Sequence, residues 1–257
     1  MEIIASRDNP LLVKLRKLGS DGAGYRRLGQ AWIEGEHLCA ALRTRGRPAA
    51  QAVVSESGWR DAALRELAGW ATKQAVVQDA AFRSISTLES PSRIGFVIDL
   101  PAVPAIDPDA PTVVLDRLQD AGNVGSILRS AAAFGVRQVL ALKGTAALWS
   151  PKVLRAGMGA HFALRLVDGL EPEALQALRV PLVATSSHAD AELPSAALPQ
   201  PCAWVLGHEG GGVSAALLQR CALTVRIPQP GGEESLNVAA AAAVCLYESA
   251  RRARPDQ

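Results

Sequence analysis

Two glycine-rich loops near the carboxyl end constrain this chain more than any other feature. The first, Gly207-His208-Glu209-Gly210-Gly211-Gly212, follows the apolar run Ala203 to Leu206. The second, Pro228-Gln229-Pro230-Gly231-Gly232, follows Leu223 to Ile227 and runs on to Glu234-Ser235-Leu236-Asn237-Val238-Ala239. Each run has strand length and each loop leads into a helical pattern. Both loops therefore belong at the carboxyl ends of strands, where α/β sheets bind ligands. No Lys-Ser/Thr pair follows the glycines and no G-x-G-x-x-G occurs, which excludes a phosphate cradle and a dinucleotide fingerprint.

The remainder of the chain reads as two α/β layers joined by a linker. With 257 residues, 49% of them apolar, one large domain or two modest ones can bury a core. In the first layer, Leu11, Leu12, Leu15 and Leu18 mark one helical face, with Lys14, Arg16 and Lys17 elsewhere on the helix. Asn9 and Pro10 suit its cap and first turn, and Gly19 to Gly24 breaks the pattern. Ala31 to Ile33, Val53-Val54 and Ala75 to Val77 are expected strands, and Asp61 to Ala71 a helix. Pro101, Pro104, Pro108 and Pro111 among Asp and Ala form neither, so residues 101–111 read as the linker. The domains are then residues 1–100 and 112–257. In the second, strands near residues 113, 139, 164, 182, 204 and 224, separated by helices, predict a mostly parallel sheet.

Charge and cysteines narrow the class. Up to Arg47 there are nine Lys/Arg against five Asp/Glu, whereas Pro101 to Gln257 has thirteen against fourteen. A basic front of this kind suits a polyanion or simply a solvated face. Cys39, Cys202, Cys221 and Cys245 are widely spaced with no C-x-x-C, so reduced core cysteines and no metal site are expected. No apolar run approaches the roughly 20 residues that span a bilayer. Met1 to Arg7 also lacks the basic-then-apolar order of a signal peptide, and a cytoplasmic location is expected.

Three separated stretches share one resemblance. Gly207 to Gly212 and Ile227-Pro228 with Ser235-Leu236-Asn237-Val238 resemble the second and third motifs of the SpoU (TrmH-like) RNA 2′-O-ribose methyltransferases, Gly-x-Glu-Gly-x-Gly and Ile-Pro…Ser-Leu-Asn-Val. Asn123-Val124-Gly125-Ser126-Ile127-Leu128-Arg129 resembles the first, Asn-x-Gly-x-x-x-Arg, one strand into the second domain. Asn9-Pro10 with its basic helix, and Ile33-Glu34-Gly35 before a helix, are similar to the L30e/L7Ae-like substrate-binding domain of many members; a generic α/β cap fits them too. Two positions depart from the pattern. Gly157 stands where a serine is common, and His208 where asparagine is frequent.

The resemblance implies a SPOUT-type fold, an α/β domain with a mostly parallel sheet whose carboxyl-terminal segment is threaded into a trefoil knot, acting as a homodimer. It implies S-adenosylmethionine as cofactor, ringed by backbone at Leu206, Gly207, Ile227 and Leu236, with Thr185, Ser186, Gly210 and Pro228 beside it. Glu209, Ser235 and Asn237 border both cofactor and chemistry. The implied reaction is methylation of a ribose 2′-hydroxyl in ribosomal RNA, with tRNA the alternative.

Arg129 and Asn123 are the first motif's contribution to catalysis. A guanidinium stays protonated, so Arg129 is expected to fix the target phosphate and ribose rather than act as base. Asn123 also suits a helix N-cap. Glu209 is expected to hold Arg129, the loop backbone or the glycine N–H groups. Arg7, Lys14, Arg26 and Arg27, with Arg129, are the candidate RNA contacts, because phosphate contacts position a substrate without a sequence code. A catalytically dead RNA-binding module would lose these motif residues. An oxidoreductase would need the missing fingerprint, and a base methyltransferase fits the Ser-Leu-Asn-Val and Asn-x-Gly-x-x-x-Arg pair less well.

Overall fold

The computed structural model describes residues 2–22, 24–231 and 235–253. Gly232 and Glu234 of the second glycine loop lie outside them. The chain forms two units, and they are not simply consecutive: residues 1–102 with 149–162, and residues 103–148 with 163–257.

In the first unit the elements run β1 (Ile3–Ile4), α1 (Pro10–Ser20), α2 (Gly24–Leu28), β2 (Gln30–Glu34), α3 (Glu36–Thr44) and β3 (Ala49–Ser55). They continue with α4 (Glu56–Trp59), α5 (Ala62–Ala68), β4 (Ala71–Val77), α6 (Asp79–Arg83) and β5 (Ile94–Asp99). The sheet order is β1-β4-β3-β5-β2, with β5 antiparallel to both its neighbours and the other pairings parallel. Helix α1 starts where Asn9 Oδ1 accepts the Leu11 N–H at 3.0 Å and Pro10 occupies the first turn. It buries Leu12, Leu15 and Leu18 against Trp32, Val53, Val77 and Phe82.

Three details differ from the sequence expectation. Helix α1 continues through Gly19, where a Cβ would stand 2.9 Å from Thr87 Cγ2, so the glycine serves close packing rather than termination. Helix α5 is capped by Asp61 and ends at Gly69, leaving Ala71 to open β4. Strand β5, not anticipated, lies between β3 and β2, and its Gly95 lets Trp32 lie against the backbone: a Cβ there would meet the indole at 2.2 Å.

The second unit begins with β6 (Thr112–Asp116), α7 (Ala121–Ala133) and β7 (Gln138–Leu142). The chain then gives the first unit α8 (Pro151–Gly157), whose Leu154 enters that unit's core together with Phe162. This segment lies inside the 112–257 stretch that the sequence suggested as one domain. Buried Gly157 is part of it. The second unit resumes with β8 (Arg165–Leu170), β9 (Leu182–Thr185), β10 (Ala191–Glu192), β11 (Ala203–Gly207), α9 (Ala215–Leu218), β12 (Leu223–Arg226) and α10 (Val238–Arg252). Its sheet is parallel throughout, in the order β10-β12-β9-β11-β6-β7-β8.

Strands β6, β7 and β11 are buried on both faces, which their continuous Val, Leu and Ala runs require. Residues 103–111 are partly tied down: Gln138 exchanges hydrogen bonds with the Asp107 backbone, 3.0 Å to its N–H and 2.6 Å to its carbonyl. Helix α10 buries Ala242, Cys245 and Leu246, and Ser249 Oγ accepts the Trp204 indole N–H from β11 at 2.8 Å. None of the four cysteines is in a disulfide, and burial pushes the Cys202 and Cys245 thiols up to about 11 and about 12. Among the described residues no helix is long and apolar enough to cross a membrane.

Candidate active site

Strands β6 and β11 end level, with Gly207 opposite Asp116. Both glycine-loop strands, β11 and β12, flank β9, so the ends of four neighbouring strands form one edge. Leu206, Gly207, Thr185, Ser186, Ile227 and Pro228 all lie along it. The Ser186 N–H extends the ladder to Val225 O at 3.0 Å.

The first glycine loop folds back over its own strand. A Cβ on Gly207 would sit 2.0 Å from the Gly212 carbonyl carbon and the Val213 nitrogen, so only glycine permits the crossing. His208 organises the turn. Its Nδ1 accepts the N–H groups of Gly210 at 3.0 Å and Gly211 at 3.2 Å, and its carbonyl accepts that of Gly212 at 2.8 Å. Nδ1 must present a lone pair, which puts the ring proton of the neutral imidazole on Nε2. An asparagine oxygen would offer a similar acceptor, which gives a physical reason why histidine suits this position.

Glu209 reaches across to the first motif. Its carboxylate accepts the backbone N–H of Gln119 at 3.2 Å and of Asp120 at 3.0 Å, and the Asn123 side-chain amide at 3.2 Å. Desolvation pushes this carboxyl up. The N–H groups of Glu209 itself and of Asp120, the Asn123 amide and the Gln119 N–H outweigh it, and the group is held at about 2. Of the roles foreseen for Glu209, the structure gives it the loop backbone, at Gln119 and Asp120.

Asn123 continues the connection: its Oδ1 accepts the Asn237 side-chain amide at 3.0 Å. Asn237 is the N-cap of α10, its own Oδ1 accepting the N–H groups of Ala239 at 2.9 Å and Ala240 at 3.4 Å. One polar chain, Glu209 to Asn123 to Asn237, therefore joins all three motifs. Asn123 is not the cap of α7. Asp120 is, accepting the Asn123 N–H at 2.7 Å, because its extended backbone places the carboxylate over the first turn.

Arg129 and Ser235 stand outside this chain. Arg129 is on the exposed face of α7, whose other face buries Val124, Gly125, Ile127, Leu128 and Ala131. Neither Arg129 nor Ser235 has a side-chain hydrogen-bond or ion-pair partner among the described residues. Leu236 is 42% exposed. Gly210 spends its N–H on His208, which removes that donor from any ligand.

Sequence reasoning overlooked Asp116, which is 2% exposed. Its carboxylate accepts the Ser214 N–H at 2.7 Å, just past the glycine loop, and the Arg117 guanidinium at 2.9 Å. Burial pushes Asp116 up, but these bonds from Arg117 and Ser214 bring it below the ordinary carboxylate range. Arg117 has φ +61°, unusual without glycine, and its N–H bonds Thr145 Oγ1 at 3.1 Å. A charged pair closing an apolar strand was the available signal.

Residues 110–247 match the family described as the SpoU rRNA Methylase family. The chain belongs to this family. It is 33% identical over 175 residues to the 23S rRNA (guanosine(2553)-2′-O)-methyltransferase RlmP of Bacillus subtilis, covering 67% of this chain and 70% of that one. It is 32% identical over 234 residues to a 23S rRNA (uridine(2479)-2′-O)-methyltransferase of Streptomyces viridochromogenes, 80% of each. Among solved structures, the SpoU methyltransferase AviRb of Streptomyces viridochromogenes in complex with AdoMet superposes with a TM-score of 0.84 at 28% identity, over 95% of this chain and 98% of that one.

Proposed function

We propose that this protein methylates a ribose 2′-hydroxyl of ribosomal RNA with S-adenosylmethionine as methyl donor. The observation that carries this reading is the Glu209–Asn123–Asn237 chain, which brings the three motifs of a SpoU-family member together at the carboxyl edge of a parallel sheet. The rRNA 2′-O-methyltransferase relatives support the substrate class.

The residues of the strand-end edge suit the cofactor. Gly207 leaves backbone bare, Ile227 and Leu236 offer partly exposed apolar surface, and Gln229 Oε1 is a buried acceptor without a hydrogen-bond partner among the described residues. Thr185, Ser186, Leu206, Gly207, Ile227 and Leu236 would border the nucleoside, and Gln229 would take an amine hydrogen. When bound, the cofactor supplies an electrophilic methyl carbon on a sulfonium. The ribose 2′-hydroxyl would be the acceptor of that methyl group, and its proton would pass to phosphate or solvent. Asn123 and Asn237 hold the loops in register, Ser235 orients the 2′-hydroxyl, and Arg129 clamps the adjacent phosphate with its planar fork.

The first unit is an L30e/L7Ae-like RNA-binding domain in this reading, with Arg7, Lys14, Arg26 and Arg27 as contacts. The carboxyl-terminal segment is threaded as a trefoil knot, one of the rare exceptions to open topology. The working form is a cytoplasmic homodimer, joined through the second unit. Val244 at 41% and Tyr247 at 56% exposure on α10 supply apolar surface for that contact.

The decisive test compares nuclease-resistant 2′-O-methyl dinucleotides in rRNA and tRNA from cells with and without the gene. Loss from rRNA alone is expected, and no change in either pool defeats the proposal. Calorimetry with S-adenosylhomocysteine tests the cofactor edge separately, and absence of binding would count against it.

A further inference from the structure

One end of the first unit's sheet collects cations around an exposed tryptophan. Because β5 is antiparallel to both β2 and β3, and β4 is parallel to β3, strands β2, β3 and β4 all begin at this end. The segments beside the starts of β3 and β4, residues 43–48 and 62–74, carry Arg43, Arg45, Arg47, Arg65 and Lys73 against the single carboxylate of Glu66. Arg43 pairs with Glu66, and Arg65 bonds the Trp59 carbonyl. The side chains of Arg45, Arg47 and Lys73 have no hydrogen-bond or ion-pair partner among the described residues.

Trp70 lies among these groups, 41% exposed, and its indole N–H donates to Arg47 O at 2.8 Å. That bond satisfies the ring's one polar atom and fixes its orientation, leaving an apolar face toward water. Among the described residues, strand β1 covers only Val76 and Val77 of β4 and nothing pairs with the outer edge from Ala71 to Ala75, where Thr72, Lys73 and Gln74 are exposed. A pinned aromatic ring, unpaired guanidinium groups and a lysine on an open edge are the components that bind unstacked single-stranded nucleic acid. An apolar protein partner would not need the cations, and a bilayer would favour more than one exposed aromatic.

We propose that this end is a second RNA-contact surface, on which Trp70 stacks an unpaired base while Arg45, Arg47 and Lys73 hold the flanking phosphates. It rests on the RNA-methyltransferase reading and extends it to a distinct place. The amino end of α1, with Arg7 and Lys14, follows the strand end where Ile4 pairs with Val77, about 20 Å along β4 from Trp70. A strand held at both ends would be measured over that span.

The test uses the full chain, with labelled oligouridylate and total rRNA as probes. Trp70→Ala is expected to weaken oligouridylate binding about tenfold, while Trp70→Phe keeps most of it. Arg45→Ala with Arg47→Ala is expected to lower the slope of log affinity against log salt by about 1.4, roughly 0.7 per lost phosphate contact. Crosslinking of 4-thiouridine-labelled RNA to wild-type protein is expected at Trp70 and needs no variant. Unchanged affinity and slope in folded variants, no crosslink there, or equal Trp70-independent binding of polyaspartate each overturns the proposal. If wild-type protein methylates rRNA and these results still fail, the surface falls and the activity stands. If nothing is methylated but binding depends on Trp70, the reverse holds.

Discussion

Replacing Glu209 by glutamine is the sharpest perturbation of the candidate site, because it keeps shape and removes charge. The carboxylate is held at about 2 against an ordinary 4.5. Read directly, that shift is worth about 3 kcal/mol. The side chain is exposed, however, so solvent screening discounts the figure to about 1–2 kcal/mol. The sign follows from the depressed value. The contribution is complete above about 4.5 and fades as pH falls through about 2.

Glutamine also turns an N–H₂ group toward donors from which the carboxylate accepted, at Gln119 or at Asp120 and Asn123. Urea unfolding near pH 7 is expected to show the variant weaker by about 1–2 kcal/mol, with the gap to wild type narrowing toward about pH 3. Amide exchange at Gln119 and Asp120 is expected to quicken in the variant. A gap that stays constant with pH, or unchanged exchange at both amides, refutes the claim that an ionised Glu209 holds the first motif.

The other perturbations separate positioning from capping and packing. Asn237→Asp keeps the α10 cap but sets a carboxylate against Asn123 Oδ1, so the melting temperature is expected to stay near wild type while methylation falls at least tenfold. Gly207→Ala forces a Cβ into backbone at 2.0 Å and is expected to cost about 3 kcal/mol or more, read by urea unfolding or loss of soluble protein. His208→Asn is expected to keep cofactor affinity, whereas His208→Ala frees the Gly210 and Gly211 N–H groups and weakens it, both read by calorimetry with S-adenosylhomocysteine. Arg129→Lys is expected to lower kcat/KM for RNA at least tenfold without moving the melting temperature, since lysine lacks the planar fork and Arg129 has no internal partner among the described residues.

The parallel sheet of the second unit was legible because a strand buried on both faces must be written in continuous apolar residues, as Val113 to Leu115 and Trp204 to Leu206 are. The motif loops were legible because bare backbone requires glycine, and Gly207 permits no alternative. Choices between equivalent local options were not. Asp120 and Asn123 are both good caps, three residues apart, and only the chain's path into α7 selects Asp120. Nor does local sequence say which core a helix joins: the apolar spacing of α8 is the same whether Leu154 packs with the first unit or the second. Strand β5 was hidden by Gly95, whose value lies in the Trp32 ring packed against it from another strand.

Counting partners also divides the motif residues by task. Glu209 accepts three hydrogen bonds, Asn123 uses both ends of its amide, and Asn237 both donates to Asn123 and caps α10. Groups committed in this way set the distance between loops and have little capacity left for a substrate. Arg129 and Ser235 are polar motif side chains without partners among the described residues. We infer that the motif splits into a fixed frame and two free hands. Frame variants would then lower activity by shifting the loops, and lower stability as well where a backbone N–H loses its acceptor, as at Glu209, whereas Arg129 and Ser235 variants would lower activity alone.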